Sequence, residues 1–233
     1  MNKELYDLSF QVRMAFKKKI LSIFSFLIFT SVAINLILHF LVFPVREKSV
    51  SMQPDIPPSA MVFFSPLAKT YRRGSVVLVH QMEGLEVSKT MKFLDRAVGF
   101  FTARQVSIVN SKHWMGSSFQ IRRILALPGD SIFMKDHVLY IKPKGSDFPL
   151  TEFELLESPY NVSIAASPAF WDSSVGVKGS FDEITLSDDE YYVLADNRNS
   201  SVDSRLWGPV KKENIKAVAL LEYFPFRKLR LFR

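Results

Sequence analysis

A mainly β domain carried behind one N-terminal transmembrane helix is the architecture this 233-residue sequence predicts. Three observations predict it. Residues 20–43 form an apolar run without a charge, and short apolar runs broken by Gly, Pro, Asp and Asn recur through most of the remaining chain. Only one later segment shows helical spacing instead. The part beyond the anchor, 44–233, then reads as one domain with insertions at about 82–118 and 145–185.

The anchor runs from Ile20 to Phe43, 24 residues with no Asp, Glu, Lys or Arg. As a helix it rises about 36 Å, enough for a hydrocarbon core of about 30 Å. Asn35 and His39 are polar but uncharged and lie near one end. A cleaved leader has a shorter apolar core, about 7–15 residues, and a small-x-small exit. This run instead ends in Phe43-Pro44-Val45-Arg46. Arg13, Lys17, Lys18 and Lys19 precede it within the basic segment 1–19, whereas Arg46 and Lys48 after it are offset by Glu47. That asymmetry predicts a single pass with the N-terminus in the cytoplasm and the domain across the cytoplasmic membrane.

Beyond the anchor, Ala60–Phe64 and Ser75–Val79 read as strands, the second entered through Arg73-Gly74. Ser131–Met134 and Val138–Ile141 read as a hairpin around Lys135-Asp136-His137. Glu190–Leu194 and Lys216–Tyr223 complete the strands. The helical exception is Val87 to Arg104, where Met91, Leu94, Ala97, Val98 and Phe101 recur at amphipathic spacing. Residues 145–185, rich in Ser, Pro, Gly and Asp, read as a loop-laden insertion. The C-terminal segment from Phe224 is too short to span a membrane; a solvated tail and an interfacial basic–aromatic patch are both open readings.

Charge and composition narrow the function classes. The net charge is +7, of which +3 sits in residues 1–19 and +4 in residues 227–233, leaving the rest neutral. An excess at the two ends, beside apolar residues, points to a phospholipid surface and not to nucleic acid. There is no cysteine, which removes disulfides and thiol chemistry. The four histidines, at 39, 80, 113 and 137, are too scattered for zinc-ligand spacing, so no metal or other cofactor is expected.

Four fragments carry the chemistry. They are Ser49-Val50-Ser51-Met52-Gln53-Pro54, Arg72-Arg73-Gly74-Ser75-Val76-Val77, Arg122-Arg123-Ile124-Leu125-Ala126-Leu127-Pro128-Gly129-Asp130, and Ala195-Asp196-Asn197-Arg198-Asn199-Ser200-Ser201-Val202-Asp203-Ser204-Arg205-Leu206-Trp207-Gly208. In this order behind one apolar segment, they resemble the boxes of the bacterial type I signal peptidases, membrane-anchored proteases with a serine nucleophile and a lysine base. The resemblance extends from the anchor to Tyr223, and the last fragment departs from the family string only at Ala195. Asp55, Ser75 and Ala126 also replace the family's residues. The resemblance implies an antiparallel β-sheet catalytic domain that removes signal peptides from exported preproteins.

It also implies roles. Ser51 would be the nucleophile, with the Ser49 hydroxyl and the Ser51 N–H as oxyanion donors. Ser201 would hydrogen-bond the base, Asp203 would pair with Arg205, and Asp196 with Arg198 would form a second brace, beside Arg123. Arg122 stands where the family carries its lysine. Guanidinium holds its proton to about pH 12 or above, so Arg122 cannot take the Ser51 proton as a desolvated lysine does. It is left to stabilise negative charge, or to make an ion pair with Asp196 or Asp203. His80, Lys89 and Lys92 are the other candidate bases. Two readings therefore stand: a peptidase with an unusual base, or a silent relative that binds signal peptides as a chaperone or assembly factor. A self-cleaving Ser/Lys repressor would need a soluble DNA-binding N-terminus where the anchor lies.

Overall fold

The computed structural model describes residues 3–232, apart from 69, 81–87, 89, 92, 93, 95–97, 99–118, 157, 158, 165–178, 200 and 201. Helix α1 (Lys3–Phe40) starts well ahead of the apolar run, because residues 3–19 contain no Gly or Pro to stop it. Val12–Leu38 is long and apolar enough to cross a membrane, and Phe24, Leu27 and Phe29 on it are exposed. Asn35 donates its side-chain amide to Ser31 O at 2.9 Å, so its polarity is met inside the helix. The expected anchor end at residue 43 moves to Phe40. Pro44 cannot continue a helix, and Phe43 is already buried at the start of the first strand. The uncharged helical stretch 20–40 still rises about 32 Å.

The strands follow in order: β1 (Phe43–Arg46), β2 (Met61–Ser65), β3 (Val76–His80), β4 (Phe119–Ala126), β5 (Ser131–Lys135), β6 (Val138–Lys142) and β7 (Leu150–Thr151). After the short helix α2 (Glu152–Leu155) come β8 (Phe181–Thr185) and β9 (Glu190–Leu194). Helix α3 (Ser204–Trp207), β10 (Val210–Lys211), β11 (Ile215–Phe224) and β12 (Arg230–Leu231) complete the fold. One sheet has the order β1-β2-β11-β3-β4-β9-β10, with β12 against β11; the other is β7-β6-β5-β8. The paired strands run antiparallel throughout. Pro44, which has no ladder donor, sits where it is tolerated, on the edge strand β1.

The predicted mainly β architecture is thus the observed one, and each predicted strand exists within a residue or two of its expected ends. The hairpin β5–β6 turns through Asp136 and His137, both at positive φ (49° and 65°), as a two-residue connection requires. At its centre the large sheet is apolar on both faces. Val76 and Leu78 pack with Met52 and Phe64, while Val77 and Val79 pack with Val193 and Ile215. Each such buried side chain contributes about 1.5–3 kcal/mol, which makes β3 and β4 a rigid platform. A third cluster, including Leu125, Ile132, Leu139, Tyr192 and Leu194, joins the two sheets.

Two of the looser readings become specific. The insertion 145–185, read as β-rich and loop-laden, supplies β7 and β8 to the small sheet, with α2 directly after β7. The C-terminal segment is no frayed tail, since β12 pairs with β11 and Phe232 N–H donates to Leu220 O at 2.9 Å. Phe226, Leu229 and Leu231 remain exposed on it beside Arg227 and Lys228. The predicted helix 87–104, most of the insertion 82–118, Lys89 and Lys92 lie outside the described residues.

Candidate active site

Strand β4 was not legible as a strand, because Arg122 and Arg123 interrupt its apolar pattern. It is nonetheless central, pairing with β3 on one side and β9 on the other. Adjacent strand residues point to opposite faces, so the two arginines take different roles. Arg123 turns to Asp196, donating at 2.9 Å and 2.6 Å, and to Asp55 at 2.7 Å. Arg122 turns to the other side, under Trp207, whose ring centroid lies 5.8 Å from the guanidinium carbon.

The Arg122 guanidinium is almost wholly donated to neutral oxygens. It reaches Val202 O at 3.1 Å and 2.6 Å, Ile121 O at 2.6 Å, the Gln120 amide oxygen, and Ser51 Oγ at 3.0 Å. The ion pair expected with Asp196 or Asp203 is not formed, because Arg123 occupies Asp196 and Arg205 occupies Asp203. Burial draws Arg122 down to about 10, against the opposing pull of Asp203 and Glu47. It therefore remains a cation at neutral pH, facing the hydroxyl of Ser51.

The loop carrying Ser51 is fixed from several sides. Asn197 N–H donates to Ser51 O at 2.8 Å, and the Asn197 amide donates to Val50 O at 3.2 Å. Met52 and Ile56 are buried in the core beneath it. Ser49 and Ser51 hydroxyl oxygens are 2.7 Å apart, and Ser51 N–H points at Ser49 Oγ at 3.2 Å. Ser49 in turn donates its hydroxyl to Glu47 Oε1 at 2.6 Å, and its N–H to the same oxygen at 2.7 Å. Its hydroxyl thus lies between Glu47 and Ser51 in this arrangement.

The last fragment folds into a knot of buried charge. Asp203 caps α3 through Arg205 N–H, receives Ala195 N–H, and binds the Arg205 guanidinium at 2.8 Å through each oxygen. The expected Asp203–Arg205 pair is therefore present and fully buried. Asp196 and Arg198, the other expected bracing residues, are both buried in charge pairs, though not with each other. Arg198 pairs with Glu152 at 2.9 Å and 2.6 Å, donates to Tyr160, and closes back on Ala195 O at 2.9 Å. Asp196 belongs to Arg123. Ser201 lies outside the described residues. His80 lies at the far end of β3, three residues from Val77, the partner of Arg122. That is about 10 Å of strand, and burial holds its imidazole below its ordinary value.

Sequence reasoning passed over four residues that build this site: Glu47, Asp55, Glu152 and Tyr160. Asp55 had one visible signal, its departure from the resembled box. In the fold it bridges Arg123 to Arg230, the latter at 2.7 Å. The segment around Ser163 also pairs with the last fragment, through Ser163 N–H to Asp196 O and Arg198 N–H to Ser163 O, each at 2.9 Å.

A family model described as signal peptidase, peptidase S26, matches residues 20–224. A signal peptidase I of Bacillus licheniformis is 29% identical over 155 residues, covering 65% of this chain and 73% of its own. The signal peptidase I U of Bacillus subtilis (strain 168) is 32% identical over 158 residues, 64% of this chain and 76% of its own. Among solved structures, a signal peptidase I from Enterococcus faecalis V583 aligns with 64% of this chain and 96% of its own, at 17% identity and a TM-score of 0.31.

Proposed function

The chain belongs to the signal peptidase family, peptidase S26, and from that premise we propose how its own residues remove signal peptides from exported preproteins. The observation that carries the proposal is the contact between Ser51 Oγ and the buried Arg122 guanidinium at 3.0 Å. Ser51 is the nucleophile. Its Oγ attacks the carbonyl carbon at the end of a signal peptide, releases the mature amine and leaves an acyl group on Ser51, which water then removes. Arg122 is not the base. As a fixed cation in a desolvated site it favours the ionised form of Ser51 and the negative charge of the tetrahedral state. The Arg123–Asp196 pair holds the last fragment against β4, the Asp203–Arg205 pair closes that fragment on itself, and together they keep Ser51 and Arg122 in register.

The test is cleavage by the full chain, purified in detergent, of a preprotein whose signal peptide ends in small-x-small. The wild type is expected to cut after that motif, with the new N-terminus read by mass spectrometry. Arg122→Lys is expected to help little or to do harm, because a cation serves the site as it stands. If neither protein cuts while both still bind signal peptides, the peptidase reading is wrong, and a binding protein takes its place.

Topology follows from the same anchor. We place residues 1–19 in the cytoplasm and the domain on the outer face of the cytoplasmic membrane, where signal peptides emerge. The basic residues that precede the apolar stretch of α1 support this orientation. Reporter fusions after residue 60 are expected to read as external. Cytoplasmic signal from them would reverse the orientation and remove the site from its substrates.

A further inference from the structure

Glu47 is a carboxylate buried to 5% exposure, next to the candidate nucleophile, and the peptidase reading gives it no part. Burying a carboxylate is costly unless donors are supplied, and the fold fixes this one in place. Its backbone N–H donates to Ala60 O at 2.9 Å, and its carbonyl accepts Ser59 N–H at 2.7 Å. Its Oε1 then collects both donors of Ser49, at 2.7 Å and 2.6 Å.

Hydrogen counting gives the site a direction. An ionised carboxylate only accepts, so the one hydroxyl hydrogen of Ser49 lies on the Glu47 side. The 2.7 Å contact between Ser49 and Ser51 must then be made by the Ser51 hydrogen. The order is Ser51 O–H to Ser49 O–H to Glu47, with both hydrogens directed away from Ser51. On the opposite side of Ser51 Oγ, Arg122 Nη1–H approaches at 3.0 Å. A cation thus faces the oxygen that loses a proton, and an anion lies at the end of the path that the proton would take.

We propose that Glu47 is the terminal proton acceptor for Ser51, reached through the Ser49 hydroxyl, and that it takes over the work of the family's lysine. The inference rests on the peptidase reading of Ser51. In acylation the Ser51 O–H bond breaks as its oxygen bonds the scissile carbon, and the carbonyl electron pair moves onto its own oxygen. Ser49 receives the Ser51 proton and passes its own to Glu47, which becomes a carboxylic acid. When the C–N bond breaks, the leaving amine takes a proton back along the same path. Water then attacks the acyl group, giving a proton to the relay, which returns it to Ser51. Nothing is consumed beyond one water per bond. Glu47 touches no substrate atom and is a positioning residue in that sense; Ser49 carries the proton.

The groups that set its charge are few. Arg122, on β4, couples to it from across the site, and Asp203, Arg205 and Asp196 act on Arg122 from the last fragment. On its own segment Lys48 is exposed, and Arg46 is turned to the Ser59 hydroxyl at 3.1 Å. Loss of the Arg122 proton toward pH 10 must produce an alkaline decline in activity.

The experiment is the measurement of kcat and KM for the full chain in detergent on a signal peptide ending in small-x-small. Glu47→Gln keeps the shape and the hydrogen-bond acceptor but is expected to lower kcat by about 10²-fold or more. KM should barely change. Glu47→Asp should recover part of the rate. Ser49→Ala, at an exposed position, should lose as much as Glu47→Gln, and the double variant no more than either. Wild-type kcat in Glu47→Gln overturns the proposal. Should that variant not fold, wild-type kcat in Ser49→Ala overturns it equally. A silent wild type beside an active Arg122→Lys overturns the relay and leaves the peptidase reading standing. Silence in both overturns both.

Discussion

Ser51→Ala is expected to abolish cleavage while leaving the protein as stable as before. The two halves of that expectation come from different atoms. Removing Oγ removes the attacking group; in serine proteases whose parts act as a unit the loss is about 10⁶ in kcat. The fold holds residue 51 by its backbone instead, through Asn197 N–H to Ser51 O at 2.8 Å, which alanine retains. Arg122 also retains Ile121 O, Val202 O and Gln120 when Oγ is gone. A cleavage assay and a thermal melt on the same sample make the check. Full activity in Ser51→Ala would reject Ser51 as nucleophile, and a collapsed melt would make its role structural.

Asp203→Ala is expected to have the largest effect on stability. Asp203 receives four donors, three of them from Arg205, and both side chains of the pair are 0% exposed. Alanine leaves the Arg205 cation buried with Arg198 O as an acceptor at 2.8 Å but without its countercharge. Breaking one side of such a pair costs about 3–5 kcal/mol. For a domain of this size that corresponds to a melting temperature lower by about 6–20 °C. The loss of the cap on α3 acts in the same direction. An unchanged melting temperature in a thermal denaturation would show that the pair contributes nothing to the fold.

The strands that could be read in the sequence were those whose neighbours are apolar on at least one face, such as Val76–His80 and Glu190–Leu194. Turn chemistry at Lys135-Asp136-His137 made the hairpin legible for the same local reason. What stayed hidden depends on partners far apart in the chain. Strand β4 looks polar at its centre until Asp196, 73 residues on, supplies the countercharge to Arg123. Glu152 looks like any acid in a loop-rich insertion, yet it neutralises Arg198, 46 residues away. The composition of 145–185 advertised loops and said nothing of that pairing. Glu47 was close to Ser51 in sequence but counted only as an offset to Arg46 and Lys48. Its significance lies in pointing inward, which no local pattern encodes. Ser51, by contrast, stood out as a candidate from its box, because the order of neighbouring residue types there is itself unusual.

The pairing of Arg230 with Asp55 links the timing of synthesis to the readiness of the site. Asp55 lies four residues past Ser51 and is held at once by Arg123 and, at 2.7 Å, by Arg230 on β12. A chain emerging from the ribosome presents its anchor first and the serine loop soon afterwards, but Arg230 arrives 175 residues behind Asp55. Until that residue has been made, Asp55 has only one of its two cations, and the segment that follows Ser51 reaches its final arrangement only when β12 has paired.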